Sequence, residues 1–180
     1  MAKNIYEKCT EINEYIEKII QTAHENLLNF EVKNDEFYLS DFIKEIEKFY
    51  TEKLDLLKIN FSIAPFQNQL LKGDFERAVE VLQNLIENAL KYGDGKEISL
   101  HFEREEDCLL LSVKNSGSTI SDSELPHIFE SFWRGSNAGT SSGSGLGLYI
   151  CRELMRKMNG EIFAETENET MSVTAVFPLV

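Results

Sequence analysis

"DFERAVEVLQNLIENALKYG", residues 74–93, puts two unlike faces on one helix. At roughly 100° per residue, Phe75, Ala78, Val79, Leu82, Leu85, Ile86, Ala89 and Leu90 share one broad apolar face. Asp74 stands where a helix cap belongs and Gly93 where a helix ends. Asn84, Glu87, Asn88 and Lys91 fall together on the opposite side, at i, i+3, i+4 and i+7. Asparagine is a poor helix former because its amide competes for backbone hydrogen bonds. Two of them one turn apart in mid-helix therefore ask for a ligand. An amide oxygen is a hard, neutral ligand suited to Mg²⁺. Lys91 would supply positive charge for a phosphate beside the metal, and Glu87 could orient or deprotonate a nucleophile. A solvated stripe with incidental asparagines accounts for the same four residues.

Downstream, "GSGLGLYICRELMRKMNG", residues 143–160, sets Gly143, Gly145 and Gly147 at the mouth of an amphipathic pattern. Glycine lets backbone N–H groups come close to an anion, and a helix N-terminus offers unpaired N–H groups and a positive dipole end. Phosphate oxygens would be held there without a cluster of basic side chains, which suits a chain of net charge −13. A flexible linker also favours Gly and Ser, but it does not explain Leu146 and Leu148 alternating with the glycines and leading into a helix.

The 180 residues suffice for one domain with a core plus a small appendage. The acidic balance argues against nucleic acid as a partner. No apolar run approaches the ~18 residues that span a bilayer, and the charged N-terminus does not read as a signal peptide. Cys9, Cys108 and Cys151 have no metal-ligand spacing and read as reduced cytosolic thiols. Ile5, Cys9, Ile12, Ile16, Ile19, Ala23 and Leu27 step by threes and fours, close to a heptad seam over residues 3–30. A linker around "EVKNDE" follows, then a short strand at "FYLS" with Ser40 capping a second helix over about 41–58. "KINFSIA", "NQLLKG", "KEISLHFERE", "DCLLLSVKN", "EIFAET" and "MSVTAVF" read as strands. The Ser- and Gly-rich span 116–144 holds one short helix opened by a Ser121–Glu124 capping box, and a fourth long helix over about 145–158 stops at Asn159-Gly160. The mixture predicts an α+β fold with one sheet covered on one face by helices.

Three segments then carry a resemblance. "NLIENALKYG" resembles the asparagine box of sensor histidine kinases, "LPHIFESFWRG" their phenylalanine box, and "GSGLGLYICRELMRKMNGEIFAE" their second glycine box with its helix and strand. Their order and spacing fit, over about residues 36–180. The resemblance implies a two-layer ATP-binding α/β sandwich, shared with gyrase-type, chaperone-type and mismatch-repair ATPases. It places Asn88 as the Mg²⁺ ligand, Asn84 beside the phosphates, and Glu87 where the family proposes an acid–base residue. Lys91 would approach a phosphate and Tyr92 the nucleoside. Gly143, Gly145 and Gly147, with Leu146 and Leu148 in the same segment, would frame the triphosphate. Residues 118–142 would form a mobile lid anchored by Phe129 and Phe132, with Arg134 offering a phosphate contact.

Two departures stand out. Where the family's first glycine box reads Asp-x-Gly-x-Gly, this chain has Asn115-Ser116-Gly117-Ser118-Thr119. The adenine-reading acid is thus an amide, which can accept from the adenine amino group or, turned over, donate to guanine. Gly117 is kept, while the last glycine is Thr119. Second, His24 is followed by Glu25 but then by "NLLN", without the Arg and Pro of the family's acceptor box. Residues 1–35 therefore read as the second helix of a dimerisation hairpin plus linker, and residues 36–180 as the kinase domain. The expectation is the ATP-binding part of a histidine kinase whose phosphoacceptor lies elsewhere. ATP and Mg²⁺ would be its cofactors, and a response-regulator receiver domain and an acceptor-helix domain its partners. A homodimer would form through the N-terminal helix, in a cytoplasmic domain of a membrane-anchored receptor. A nucleotide-binding pseudokinase module and an anti-sigma-type serine kinase are the competing readings.

Overall fold

A computed structural model describes residues 31–118, 120–136 and 144–180. The expected helix over 3–30, with Cys9 and His24, lies outside the described residues, as do Thr119, Gly143 and part of the lid. Met1–Glu31 and Val32–Val180 are separate compact units, and the fold below is that of the second.

The elements run β1 (Asp35–Tyr38), α1 (Leu39–Leu56), β2 (Asn60–Ile63), β3 (Leu70–Gly73), α2 (Phe75–Tyr92), β4 (Glu97–Glu105) and β5 (Cys108–Ser116). A 3-10 turn (Leu125–His127), α3 (Gly147–Lys157), β6 (Glu161–Glu167) and β7 (Thr170–Pro178) follow. Five strands form a mixed sheet in the order β2-β4-β5-β7-β6. β2 and β4 are parallel, and the other pairs are antiparallel. The period-2 pattern of a one-sided sheet is plainest in β5, where Leu109, Leu111, Val113 and Asn115 are buried and their neighbours are half-exposed. Ile98, Leu100, Val173, Ala175 and Phe177 continue that buried face, and Phe42, Ile46, Leu54, Leu82, Ile86, Leu154 and Met155 of the three helices close it. The result is the two-layer α+β sandwich that the sequence predicts.

The one-sheet expectation needs amending, because β1 and β3 pair with each other outside the main sheet. The C-terminus ties that pair down through a Leu71–Leu179 bridge and the Val180 N–H donating to the Leu70 carbonyl at 3.2 Å.

Three helix ends show where local signals compete with distant ones. Asp74 caps α2 as expected, one carboxylate oxygen accepting from the Arg77 N–H at 3.2 Å and the other from the Lys33 N–H at 3.0 Å. Ser40 does not cap α1. The helix starts one residue earlier, and the Ser40 N–H is met by Asn68 Oδ1 at 2.9 Å, a cap supplied from across the fold. α3 begins at Gly147 rather than 145, because Gly145 lies at φ +72° and cannot belong to a right-handed helix. It ends with Asn159 at φ +57° and the Gly160 N–H on the Met155 carbonyl at 2.8 Å, a Schellman closure.

The apolar face of α2 is rotated from the periodic expectation. Val81 is fully buried, while Phe75, Val79 and Leu90 are half-buried. α3 packs along α2 there, bringing Cys151 Sγ to 3.8 Å from the Val81 carbonyl.

Candidate functional site

A cavity of about 230 Å³ opens between α2, the covered face of the sheet, and the chain leading into α3. α2 contributes Leu85, Asn88, Ala89, Lys91 and Tyr92, and the sheet contributes Val113, Asn115, Met171 and Val173. Ser118, Ile120, Ile128, Trp133, Arg134 and Gly135 line it from the expected lid, and Ser144, Gly145, Gly147 and Leu148 from the glycine segment. The walls are thus apolar, with a few polar groups at defined places, the usual make-up of a small-molecule site.

The polar end at α2 follows from how its asparagines settle their backbone competition. Asn84 Nδ2 donates back to the Glu80 carbonyl at 3.0 Å, one turn earlier, which turns Oδ1 outward. A Cβ on Gly147 would sit 3.4 Å from that Oδ1 and 3.8 Å from Asn88 Nδ2. The glycine segment therefore crosses directly over the amide pair, and any side chain at 147 would fill the gap between them. Leu146 is the N-cap of α3 and has no side-chain cap, so the first-turn amides of α3 open toward the same place. Lys91 Nζ lies 5.0 Å from the centre of the Tyr92 ring, and α2 ends there at Gly93.

At the other end Asn115 is only 7% exposed. Its Nδ2 donates to the Ser116 carbonyl at 3.3 Å, which leaves Oδ1 as the atom offered to a ligand. Gly93 makes room for this amide, since a Cβ there would stand 2.9 Å from Nδ2. Gly117, at φ +78°, lies against Asp94 and does not line the cavity. Asp94 is held at about 2, well below the ordinary carboxylate range, by hydrogen bonds from Lys96 and then Ser116.

The lid is stitched to the glycine segment through backbone. The Phe132 N–H donates to the Gly145 carbonyl at 3.0 Å, and a Cβ on Gly145 would collide with the Trp133 carbonyl at 2.6 Å. Phe129 is buried, as an anchor should be, together with Ile128. The expectation that Phe132 anchors in the same way is corrected: its side chain is 42% exposed, and its backbone, at φ +62°, makes the attachment. The Ser121–Glu124 box opens a 3-10 turn, not an α-helix. Glu124 accepts from the Ser121 N–H at 3.1 Å and the Ser136 N–H at 2.7 Å, clasping both ends of the described lid. Those bonds, Ser136 first, hold its carboxyl at about 2.

The stripe on α2 does not act as one group. Asn88 and Lys91 line the cavity, whereas Glu87 turns toward α1, where Oε1 accepts from Tyr50 Oη at 3.0 Å and from Lys53 Nζ at 2.6 Å. Burial, and then Glu87, push the Tyr50 phenol up. Tyr50 and Lys53 carried no sequence signal, and neither did Met171; Trp133 sits inside the phenylalanine-box stretch. Among the described residues no three His, Cys, Asp or Glu side chains gather to hold a metal. A cation here would rest on amide and phosphate oxygens, and the Asn84–Asn88 pair under Gly147 has the donor chemistry for Mg²⁺. Among the described residues no helix is long and apolar enough to cross a membrane.

The family described as histidine kinase-, DNA gyrase B-, and HSP90-like ATPase matches residues 73–180. Sensor protein VanSC of Enterococcus gallinarum is 27% identical over 174 residues, 96% of this chain and 48% of that protein. Signal transduction histidine-protein kinase BaeS of Escherichia coli (strain K12) is 34% identical over 127 residues, 68% of this chain and 27% of that protein. The chain therefore spans about half, or less, of the curated relatives it matches. The catalytic domain of histidine kinase ThkA in a nucleotide-free form superposes with a TM-score of 0.71 at 27% identity, covering 82% of this chain and 96% of that one. ThkA in complex with the response regulator protein TrrA gives 0.72 at 25% identity, over 95% of this chain and 49% of that chain.

Proposed function

The chain belongs to the histidine kinase-, DNA gyrase B-, and HSP90-like ATPase family and carries the ATP-binding catalytic domain of a sensor histidine kinase, and from that premise we propose that it transfers the γ-phosphoryl group of Mg-ATP to a histidine outside this sequence. The observation that carries this reading is the glycine segment crossing the Asn84–Asn88 pair, with Lys91 and Arg134 lining the same cavity. Phosphoryl transfer asks a protein mainly for positioning and charge neutralisation. Asn115 Oδ1 accepts from the adenine amino group, and Tyr92 lies along the nucleoside. Lys91, Arg134 and the amides of Gly145, Gly147 and Leu148 take the phosphate oxygens. Mg²⁺, when bound, neutralises phosphate charge, with the Asn88 amide oxygen as its protein ligand. Glu87 accepts the proton that the attacking imidazole loses as its nitrogen bonds to γ-phosphorus and the bond to ADP breaks.

Residues 36–180 form the kinase domain in this proposal. Residues 1–35 supply a dimerising helix that resembles the second of a hairpin. His24 lacks the acceptor context, His101 is exposed on β4, and His127 pairs with Glu130 at 2.8 Å on the lid. A receiver domain is the downstream partner, and the domain works on the cytoplasmic side of a membrane-anchored receptor. Relatives and structural neighbours that are sensor histidine kinases do not favour the pseudokinase-like or anti-sigma-type readings. The test is calorimetry with ATP, with and without Mg²⁺, followed by labelled ATP. Mg-dependent binding without acid-labile label on the chain alone is expected. Acid-labile label on His24 would overturn the external acceptor, and no binding would overturn the site.

A further inference from the structure

Three segments meet at one buried residue. Asp74 is 3% exposed. Its Oδ1 accepts from the Arg77 N–H at 3.2 Å, inside the first turn of α2. Its Oδ2 accepts from the Lys33 N–H at 3.0 Å, 41 residues earlier in the chain. The Asp74 N–H meets Met158 Sδ, at the end of α3, at 3.5 Å. A helix N-cap needs one side-chain oxygen, which Ser or Thr supplies as well. The second oxygen of Asp74 is therefore surplus to α2, and the chain entering the domain uses it. Lys33 Nζ also lies 3.9 Å from Glu76 Oε2, a second tie between the same residue and the same turn. Just beyond, Asp35 pairs with Gly73 as β1 joins β3.

We propose that Asp74 is a latch on the tether into this domain: by holding Lys33 against the first turn of α2, it limits how far the nucleotide site can travel from the segment ahead of it. What the latch governs rests on the phosphoryl-transfer reading above; the latch itself does not. The sequence marks "EVKNDE" as a linker, yet the second compact unit already begins at Val32. With Lys33 held, Val32 alone separates the unit ending at Glu31 from a fastened residue. With Lys33 released, the first fastened residue is Asp35, and the tether gains two residues, about 7 Å at roughly 3.5 Å each. Transfer to a histidine on another segment depends on that reach, because a tether too short to span two sites brings their effective concentration toward zero. Burial makes the latch two-state. A buried carboxylate oxygen that loses its donor carries a full desolvation penalty, so opening requires residues 32–34 to come away locally and admit water. Asp74 touches no nucleotide, since Asn88 lies about 21 Å farther along α2. It acts as a positioning residue, through the chain it holds.

The test compares the parent with Asp74→Ser, which keeps an oxygen for the Arg77 N–H and has none for Lys33. Lys33→Pro does the converse, deleting the donor and leaving the cap. Amide exchange, trypsin cleavage after Lys33 and ¹⁵N relaxation are read on the whole chain without nucleotide. In the parent the Lys33 amide should be protected. Asp74→Ser should expose that amide and speed cleavage after Lys33 by about ten-fold, the scale of one lost charge-assisted bond. Both variants should shorten the rotational correlation time of residues 35–180. Amide protection inside α2 and Mg-ATP affinity should stay within about two-fold of the parent, which also shows that the variants fold. A Lys33 amide that exchanges at the free-chain rate in the parent would overturn the proposal. So would variants that tumble like the parent, or a tether that opens only in step with lost protection inside α2, the mark of a plain helix cap. Latch behaviour in a chain that binds no Mg-ATP would instead break the nucleotide reading and leave the latch standing.

Discussion

α2 presents Asn88, Lys91 and Tyr92 to the cavity from a helix whose other face is closed by Val81, Leu82 and Ile86. The lid presents Trp133 and Arg134 to the same space from a stretch whose regular structure, among the described residues, is one 3-10 turn. The floor is positioned by buried side chains, so each of its polar groups can be removed with little cost to the helix. The lid is positioned by two buried residues, the Phe132–Gly145 backbone bond and the Glu124 clasp, so its changes act by altering what must be ordered when a ligand binds. Loss on the floor should be specific to one contact, and loss in the lid should spread over the whole ligand.

The sharpest test of that contrast is Gly145→Ala. It adds a Cβ at φ +72° and drives it into the Trp133 carbonyl, where neither partner is a side chain that could turn away. Strain and displacement of the loop should weaken nucleotide by about 100-fold or more, a few kcal/mol, for ATP and ADP alike. Calorimetric affinities within about three-fold of the parent would show that loop and lid are not coupled.

Asn88→Ala comes next. It should cost on the order of 10–100-fold in the Mg-dependent part of ATP affinity, the scale of lost support at a metal site. Thermal unfolding should stay nearly unchanged, because no core packing is lost. A drop in melting temperature that matched the drop in affinity would mean that this amide belongs to the helix rather than to the ligand.

Asn115→Ala should lose about 1–3 kcal/mol of ATP binding, the cost of an unmet buried polar partner. The bond from Nδ2 to the Ser116 carbonyl orients the amide with Oδ1 toward the ligand, so the parent should prefer ATP to GTP. Asn115→Asp trades a charge-assisted bond to adenine against a carboxylate beside the Ser116 carbonyl, and ATP affinity should stay within about three-fold. Equal ATP and GTP affinities in the parent would show that the amide turns over.

The smallest effect belongs to Glu124. Its folded value of about 2 lies below its ordinary 4.5, so its contribution is full above 4.5 and is lost as pH falls toward 2. Asp94 behaves likewise from 3.8 down to about 2. Protection of the Ser136 amide from hydrogen exchange, corrected for the intrinsic rate, should therefore be flat from pH 8 to 5 and fall below about 4.5. Glu124→Gln should mimic that loss at neutral pH and weaken ATP by no more than about three-fold, as suits an exposed clasp.

What could be read in advance was local. The α2 and α3 patterns, the Asp74 cap and the Asn159-Gly160 stop depend on residues within a turn of one another, so spacing alone exposes them. The amide pair was legible because asparagine in mid-helix contradicts propensity. The cap of α1 was misread, since Asn68 and not Ser40 answers the first turn. Val81 was missed, since α3 arrives from 70 residues away to cover it.

By itself the sequence determined that α2 would carry a polar stripe of amides, carboxylate and amine opposite a core face, because helical periodicity sorts side chains before any partner arrives. Only the tertiary structure decided that the stripe divides, with Asn88 and Lys91 going to one cavity and Glu87 to Tyr50 and Lys53 in another. The physical reason is that a surface side chain takes the rotamer its hydrogen-bond partners select. Those partners stand on α1 and on the glycine segment, 34 residues from Glu87 in one case, where no local pattern can announce them.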